Sequence, residues 1–236
     1  MNWFATFLLL YAAGTALGAA LVPSQPIGAY FFRFHGMVAL AFAAVACAVG
    51  KPWTNAAAMA LAGAALASAV AGRRSVHVVA AVAGLAFAVV AAKAGVLLSA
   101  HLVTAAAILG ASLVAMILGH WYLVNAALSF DVLKRLTRFF VVATVAKLAV
   151  TGVYVAMDWA RIWALMGEHF DGILAGVRVG VGLVGGLALA LMAHACAKMR
   201  ANQSATGILY VAVIMVLIGE LVSIYLTLGR PEPLPL

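Results

Sequence analysis

Arg178–Leu228 reads RVGVGLVGGLALALMAHACAKMRANQSATGILYVAVIMVLIGELVSIYLTL. Two apolar runs, roughly Val177–Ala197 and Thr206–Leu228, flank a short polar turn that contains Asn202-Gln203-Ser204. Each run has about the 20 residues needed to cross the hydrocarbon core of a bilayer as a helix. The hairpin places His194 near one end of a membrane span and Glu220 inside the next.

The same pattern extends over the whole chain. Of its 236 residues, 67% are hydrophobic and 8% are charged, and the mean hydropathy is +1.18. This composition leaves no room for a sizeable water-soluble domain. In lipid the backbone must satisfy its own hydrogen bonds, so apolar runs of this length mean α-helices. A transmembrane barrel would instead show alternating segments of about ten residues, and these are absent from the sequence. The expected fold is all-α: a polytopic integral membrane bundle forming one domain over residues 1–236.

Eight spans are expected, at roughly Trp3–Val22, Gly28–Val49, Trp53–Ala71, Val76–Leu98, Ala100–Leu128, Leu133–Met157, Val177–Ala197 and Thr206–Leu228. Turn and helix-start residues mark the breaks, among them Pro23-Ser24-Gln25-Pro26, Gly50-Lys51-Pro52 and Gly72-Arg73-Arg74-Ser75. The first segment lacks a basic leader region and reads as a retained helix. With the N-terminus outside, Arg33, Arg73, Arg74, Lys134, Arg135, Arg138, Lys198 and Arg200 gather at the inner ends of the spans. Only Lys51, Arg161 and Arg230 lie in outer loops or the tail. Cytoplasmic loops carry the excess of Lys and Arg, so both termini are expected outside, in a bacterial inner membrane. The net charge of +8 is accounted for by these basic loops and needs no nucleic-acid partner. The longest loop is then the outer one, Asp158–Asp171, with Trp159 and Trp163 as interface anchors. Cys47 and Cys196 fall at opposite ends of the bundle, too far apart to pair.

Ionisable groups within membrane helices are costly and mark candidate functional sites. Here they fall into two layers. The inner layer contains His35, His77, His120 and His194 on four different spans. Neutral imidazole suits haem iron and other metals, so these four are the candidate ligands of a haem b or metal site. Histidines at helix ends also commonly meet headgroup water or a carbonyl, and no His/Cys motif spacing selects ligation. The outer layer contains Glu220, Arg178, Lys93, His101, Asp158 and His169, of which Glu220, Arg178 and His101 are the candidates for a quinone or proton-transfer site. An Arg178–Glu220 pair is within reach of a long Arg side chain, and Glu220 is a candidate for proton exchange at a quinone pocket or for a structural ion pair. Lys147 lies too deep to snorkel and is expected to face the bundle interior.

Arg178 opens the seventh span, and Gly219-Glu220-Leu221 lies within the last. This ending resembles that of DMSO reductase-type membrane-anchor subunits, a group that includes the polysulfide- and nitrite-reductase anchors. The resemblance covers Arg178–Tyr225. It implies eight spans with both termini outside, no haem in this subunit, a quinone or quinol site on the outer side, and docking to an iron–sulfur or cytochrome partner. It carries over Glu220 and Arg178 alone. Ser223 and Ile224 stand where the family places an Arg soon after Gly-Glu. A structural subunit and a small-molecule transporter are the remaining readings. No internal repeat of the kind found in transporters is visible in the sequence.

Overall fold

The computed structural model describes residues 2–50, 64, 67, 70–91, 95–124, 129–166 and 169–230. Among these the chain is helical throughout, with no strand. The helices are α1 (Trp3–Ala20), a single turn α2 (Ser24–Ile27), α3 (Ala29–Val49), α4 (Arg74–Ala91), α5 (Val96–Val124), α6 (Phe130–Met157), α7 (Trp159–Met166), α8 (His169–Gly176), α9 (Gly186–Lys198) and α10 (Asn202–Leu228). A π-helical segment, Val177–Gly185, joins α8 to α9. Six helices are long and apolar enough to cross a membrane: Trp3–Ala20, Ala29–Val49, Val96–Leu123, Phe130–Met157, Phe170–Lys198 and Asn202–Leu228. Arg74–Ala86 is a shorter apolar helix. The expected third span, Trp53–Ala71, lies almost wholly outside the described residues.

The helices run up and down between two ends. At one end the Asn2 side chain caps α1 by accepting from the Phe4 and Ala5 amides, and it donates to the Val49 carbonyl at the end of α3 (2.5 Å). At the other end Arg74 Nε donates to the Ala20 carbonyl (2.6 Å), joining the start of α4 to the finish of α1. This second end also carries Lys134, Arg135, Arg138, Lys198 and Arg200; it is the basic end.

α1 is apolar on all sides and packs against α3, α4 and α5. Its approach to α5 depends on glycine. A Cβ on Gly14 would overlap the Ala106 carbonyl, and one on Gly110 would overlap the Gly14 backbone. Small residues four apart let membrane helices approach to backbone contact, and Gly14 and Gly18 supply that spacing on α1. α5 in turn packs on α6 and α10, and α9 lies against α6 and α10. The outward faces of α6, α9 and α10 present Val142, Val145, Val153, Leu191, Met192, Ile214 and Ile218, all exposed. Apolar surface this continuous is a liability in water but suits lipid.

Two sequence expectations change. The boundary between the fourth and fifth spans, placed near Leu98–Ala100, lies earlier. Those residues are inside α5, where the Ser99 hydroxyl donates back to the Gly95 carbonyl and secures the first turn. The expected loop Asp158–Asp171 is largely helical, containing α7 and the start of α8. Ile162 on α7 is buried with Ala175 and Leu226, while Trp159 and Trp163, one turn apart, stack on each other facing out. That amphipathic spacing is what makes a helix here.

Candidate functional site

The bundle interior contains one concentrated group of polar residues. Arg178, Glu220, Lys147 and His101 come from the π segment, α10, α6 and α5, and all four are fully buried. Arg178 Nη1 lies 2.6 Å from Glu220 Oε1, and Lys147 Nζ lies 3.3 Å from Glu220 Oε2. Lys147 also donates to the His101 carbonyl at 2.8 Å. The carboxylate is therefore held between two cations, one on each oxygen. Glu220 stands eight residues before the end of α10, about 12 Å along the axis at the usual helical rise. The site thus lies in the half of the bundle away from the basic end.

Local structure explains why these helices converge. Arg178 is the second residue of the π-helical stretch, whose wider i→i+5 winding interrupts ordinary helical facing and is frequent at functional sites. Gly182 follows within the same stretch. A Cβ on Gly219 would overlap Gly182 Cα, so the two backbones touch one residue before Glu220. That contact brings the π segment and α10 close enough for the Arg178–Glu220 pair.

His101 has a second set of contacts. Its Nε2 lies 3.1 Å from Ser223 Oγ and 3.4 Å from Thr227 Oγ1. The Thr227 hydroxyl proton is committed to the Ser223 carbonyl at 2.7 Å. These two hydroxyls hold the Nε2 edge of the ring against α10. His101 Nδ1 has no hydrogen-bond partner among the described residues, and neither has the buried Thr151 Oγ1, one turn beyond Lys147 on α6. The Tyr154 ring meets the His101 imidazole edge-on at 5.9 Å.

Two cations and one carboxylate in a low-dielectric interior leave an excess of positive charge when all three are ionised. Such excess is costly, and a site of this kind favours negative charge arriving.

The four inner histidines do not form one group. His35 and His77 are both buried near the start of α3. His35 Nδ1 donates to the Phe31 carbonyl at 2.8 Å and His77 Nε2 to the Phe32 carbonyl at 3.0 Å. The second nitrogen of each ring has no partner among the described residues. His120 is exposed and lies 3.5 Å from the Tyr210 hydroxyl. His194 is partly exposed and lies 3.0 Å from Thr137 Oγ1. No group of three or more His, Cys, Asp or Glu side chains suited to a metal occurs among the described residues.

No family model, curated protein or solved structure matches this chain. Its functional reading therefore rests on its own residues. The sequence pointed to Glu220, Arg178, His101 and Lys147 one by one, by burial cost. It anticipated the Arg178–Glu220 pair, but not that Lys147 and His101 join it, nor that Ser223 and Thr227 hold the His101 ring. Their spacing was the missed signal: positions 220, 223 and 227 share one face of α10.

Proposed function

We propose that this chain is a quinone- or quinol-interacting membrane anchor of an electron-transfer complex. It would have eight spans, both termini outside, in a bacterial inner membrane. The observation that carries this reading is the buried Glu220 carboxylate held between Arg178 and Lys147, with His101, whose Nδ1 has no partner among the described residues, in the same cluster. Oxidising a quinol to a quinone releases two electrons and two protons. The electrons pass to a redox centre on an iron–sulfur or cytochrome partner. The protons need buried acceptors, and the His101 imidazole and the Glu220 carboxylate are of that type; each proton they take up is offset by the negative charge left on the quinol. The excess positive charge of the cluster stabilises the anionic forms of the quinol. Buried polar atoms without a partner among the described residues, here His101 Nδ1 and Thr151 Oγ1, are what a quinone head would satisfy. The resemblance of Gly219-Glu220-Leu221 and Arg178 to the DMSO reductase-type anchors points the same way.

The test is Glu220→Gln in the assembled complex. Quinol-linked turnover is expected to fall by about 10²-fold or more, the range for losing an acid–base group, with partner copurification unchanged. Turnover at the parental rate would overturn the role.

The buried pair His35 and His77 favours one second reading, a haem b or other metal bound there. In each ring a backbone carbonyl fixes one nitrogen and leaves the other free, the arrangement that orients a metal-ligating histidine. A reduced-minus-oxidised spectrum of the protein purified in mild detergent decides it. A b-type band lost in His35→Ala supports this reading, and a featureless spectrum removes haem.

A further inference from the structure

A second polar feature lies at the basic end, far from the Glu220 cluster. The first two turns of α6 and the last turns of α9 enclose a cleft of about 490 Å³ lined by Asp131, Lys134, Arg135, Arg138, His194 and Lys198. Four of these six side chains are cations and one is a carboxylate. That carboxylate is already engaged: Asp131 accepts from Lys134 at 3.3 Å and from the Ser129 hydroxyl at 3.2 Å. Arg135, Arg138 and Lys198 are exposed and make no ion pair among the described residues. His194 is oriented by Thr137 at 3.0 Å. The cleft therefore gathers uncompensated positive charge around a hollow with side-chain donors on two helices.

We propose that this cleft binds the phosphate headgroup of an anionic phospholipid. Arg guanidinium groups match phosphate oxygens bidentately, and Lys adds point charge. Basic pockets between membrane helices at the charge-rich side are suited to phospholipid headgroups. What selects a lipid over a soluble anion is the surface that continues from the cleft. On α6 the face bearing Arg135 and Arg138 runs on through exposed Val142 and Val145. On α9 the face bearing Lys198 runs on through exposed Leu191 and, in the adjoining π segment, exposed Val184. Basic groups at one level followed by apolar helix faces toward the bundle centre reproduce the order of an anionic headgroup and its acyl chains. The same charges would fix the basic end at the headgroup level of one leaflet. Arg200, whose guanidinium lies 5.6 Å over the Phe130 ring, adds a further cation at the rim.

The experiment is native mass spectrometry of the full chain in mild detergent, with phosphatidylglycerol or phosphatidylcholine added at equal concentration. The intact protein is expected to retain one phosphatidylglycerol in preference to phosphatidylcholine. Arg135→Gln/Arg138→Gln is expected to reduce that preference by about fivefold per charge removed. Asp131→Asn, which removes the competing carboxylate, is expected to raise it. Arg33→Gln, which lies on α3 outside the cleft, is expected to leave it unchanged and controls for net charge. Millimolar inorganic phosphate is expected not to displace the lipid. Equal retention of the two lipids overturns the proposal, as does a preference that survives Arg135→Gln/Arg138→Gln. Full displacement by inorganic phosphate would show a site for a soluble anion and overturn the lipid assignment. Displacement by an acidic protein partner at stoichiometric concentration would overturn it in favour of a protein interface.

Discussion

A carboxylate with a guanidinium on one oxygen and an ammonium on the other is stable in a membrane interior only as a set. Removing one member of a buried ion pair costs about 3–5 kcal/mol, because it strands the others without solvent. Arg178→Leu and Lys147→Met each remove one cation, and Glu220→Leu removes the counter-charge of both. Glu220→Leu should therefore be the most damaging single change, since it leaves two buried cations facing each other. The triple variant with all three replaced should recover most of the lost thermal stability in detergent, because no charge is left buried. It should remain inactive if the cluster handles protons. Unfolding midpoints of the three single variants and the triple variant test this, and single variants matching the parent would show that the charges are not coupled. The individual residues were legible in the sequence, since an Arg, a Glu and a Lys within apolar runs are costly wherever they point. The Arg178–Glu220 pair was legible too, but the partners of Lys147 were not. His101 bonds Lys147 through its backbone carbonyl, and a carbonyl carries no sequence signature.

At the scale of the element, the decisive contacts are made by glycine. Gly14 meets Gly110 where α1 crosses α5, and Gly182 meets Gly219 where the π segment crosses α10. In each pair an added Cβ would fall on backbone, which has no side-chain rotamer with which to yield. Gly110→Leu and Gly219→Leu are expected to destabilise by about 1–3 kcal/mol or more through overpacking. Gly207→Leu, at a position with open space around its Cβ, should be tolerated and serves as the control. Gly219→Leu should in addition abolish turnover, because it separates Arg178 from Glu220 by moving two helices apart. Thermal midpoints and turnover measured on the same three variants check both claims; equal behaviour of all three would refute the packing argument. Glycine-rich composition marks such helices in the sequence. Which glycine meets which depends on the rotation and offset of helices distant in sequence, and hydropathy does not encode that.

The whole molecule has two unlike ends. One holds α7, α8 and the Arg230–Asp171 ion pair, with Trp159 and Trp163 facing out. The other holds the basic cleft. By the excess of Lys and Arg in cytoplasmic loops, the basic end is expected to face the cytoplasm. With Cys47 and Cys196 replaced by Ala, Gln203→Cys is expected to react with a membrane-impermeant maleimide only in inverted membrane vesicles. Ala160→Cys should react only in right-side-out vesicles, and the opposite pattern would reverse the topology. Under this topology the Glu220 cluster lies nearer the outer face and the lipid cleft at the inner face, so proton handling and lipid anchoring are spatially separate. The sequence by itself determined that the chain is helical and built to enter a bilayer. Apolar run length and the need to satisfy the backbone within lipid are local properties, readable residue by residue. It also determined the basic end, since charge is counted without knowing contacts. Only the tertiary structure decided that Lys147, His101, Arg178 and Glu220 share one site, that His35 and His77 pair off from His120 and His194, and that α6 and α9 form a cleft. These depend on how far helices approach and how they are turned, which close glycine contacts set between segments that the sequence keeps far apart.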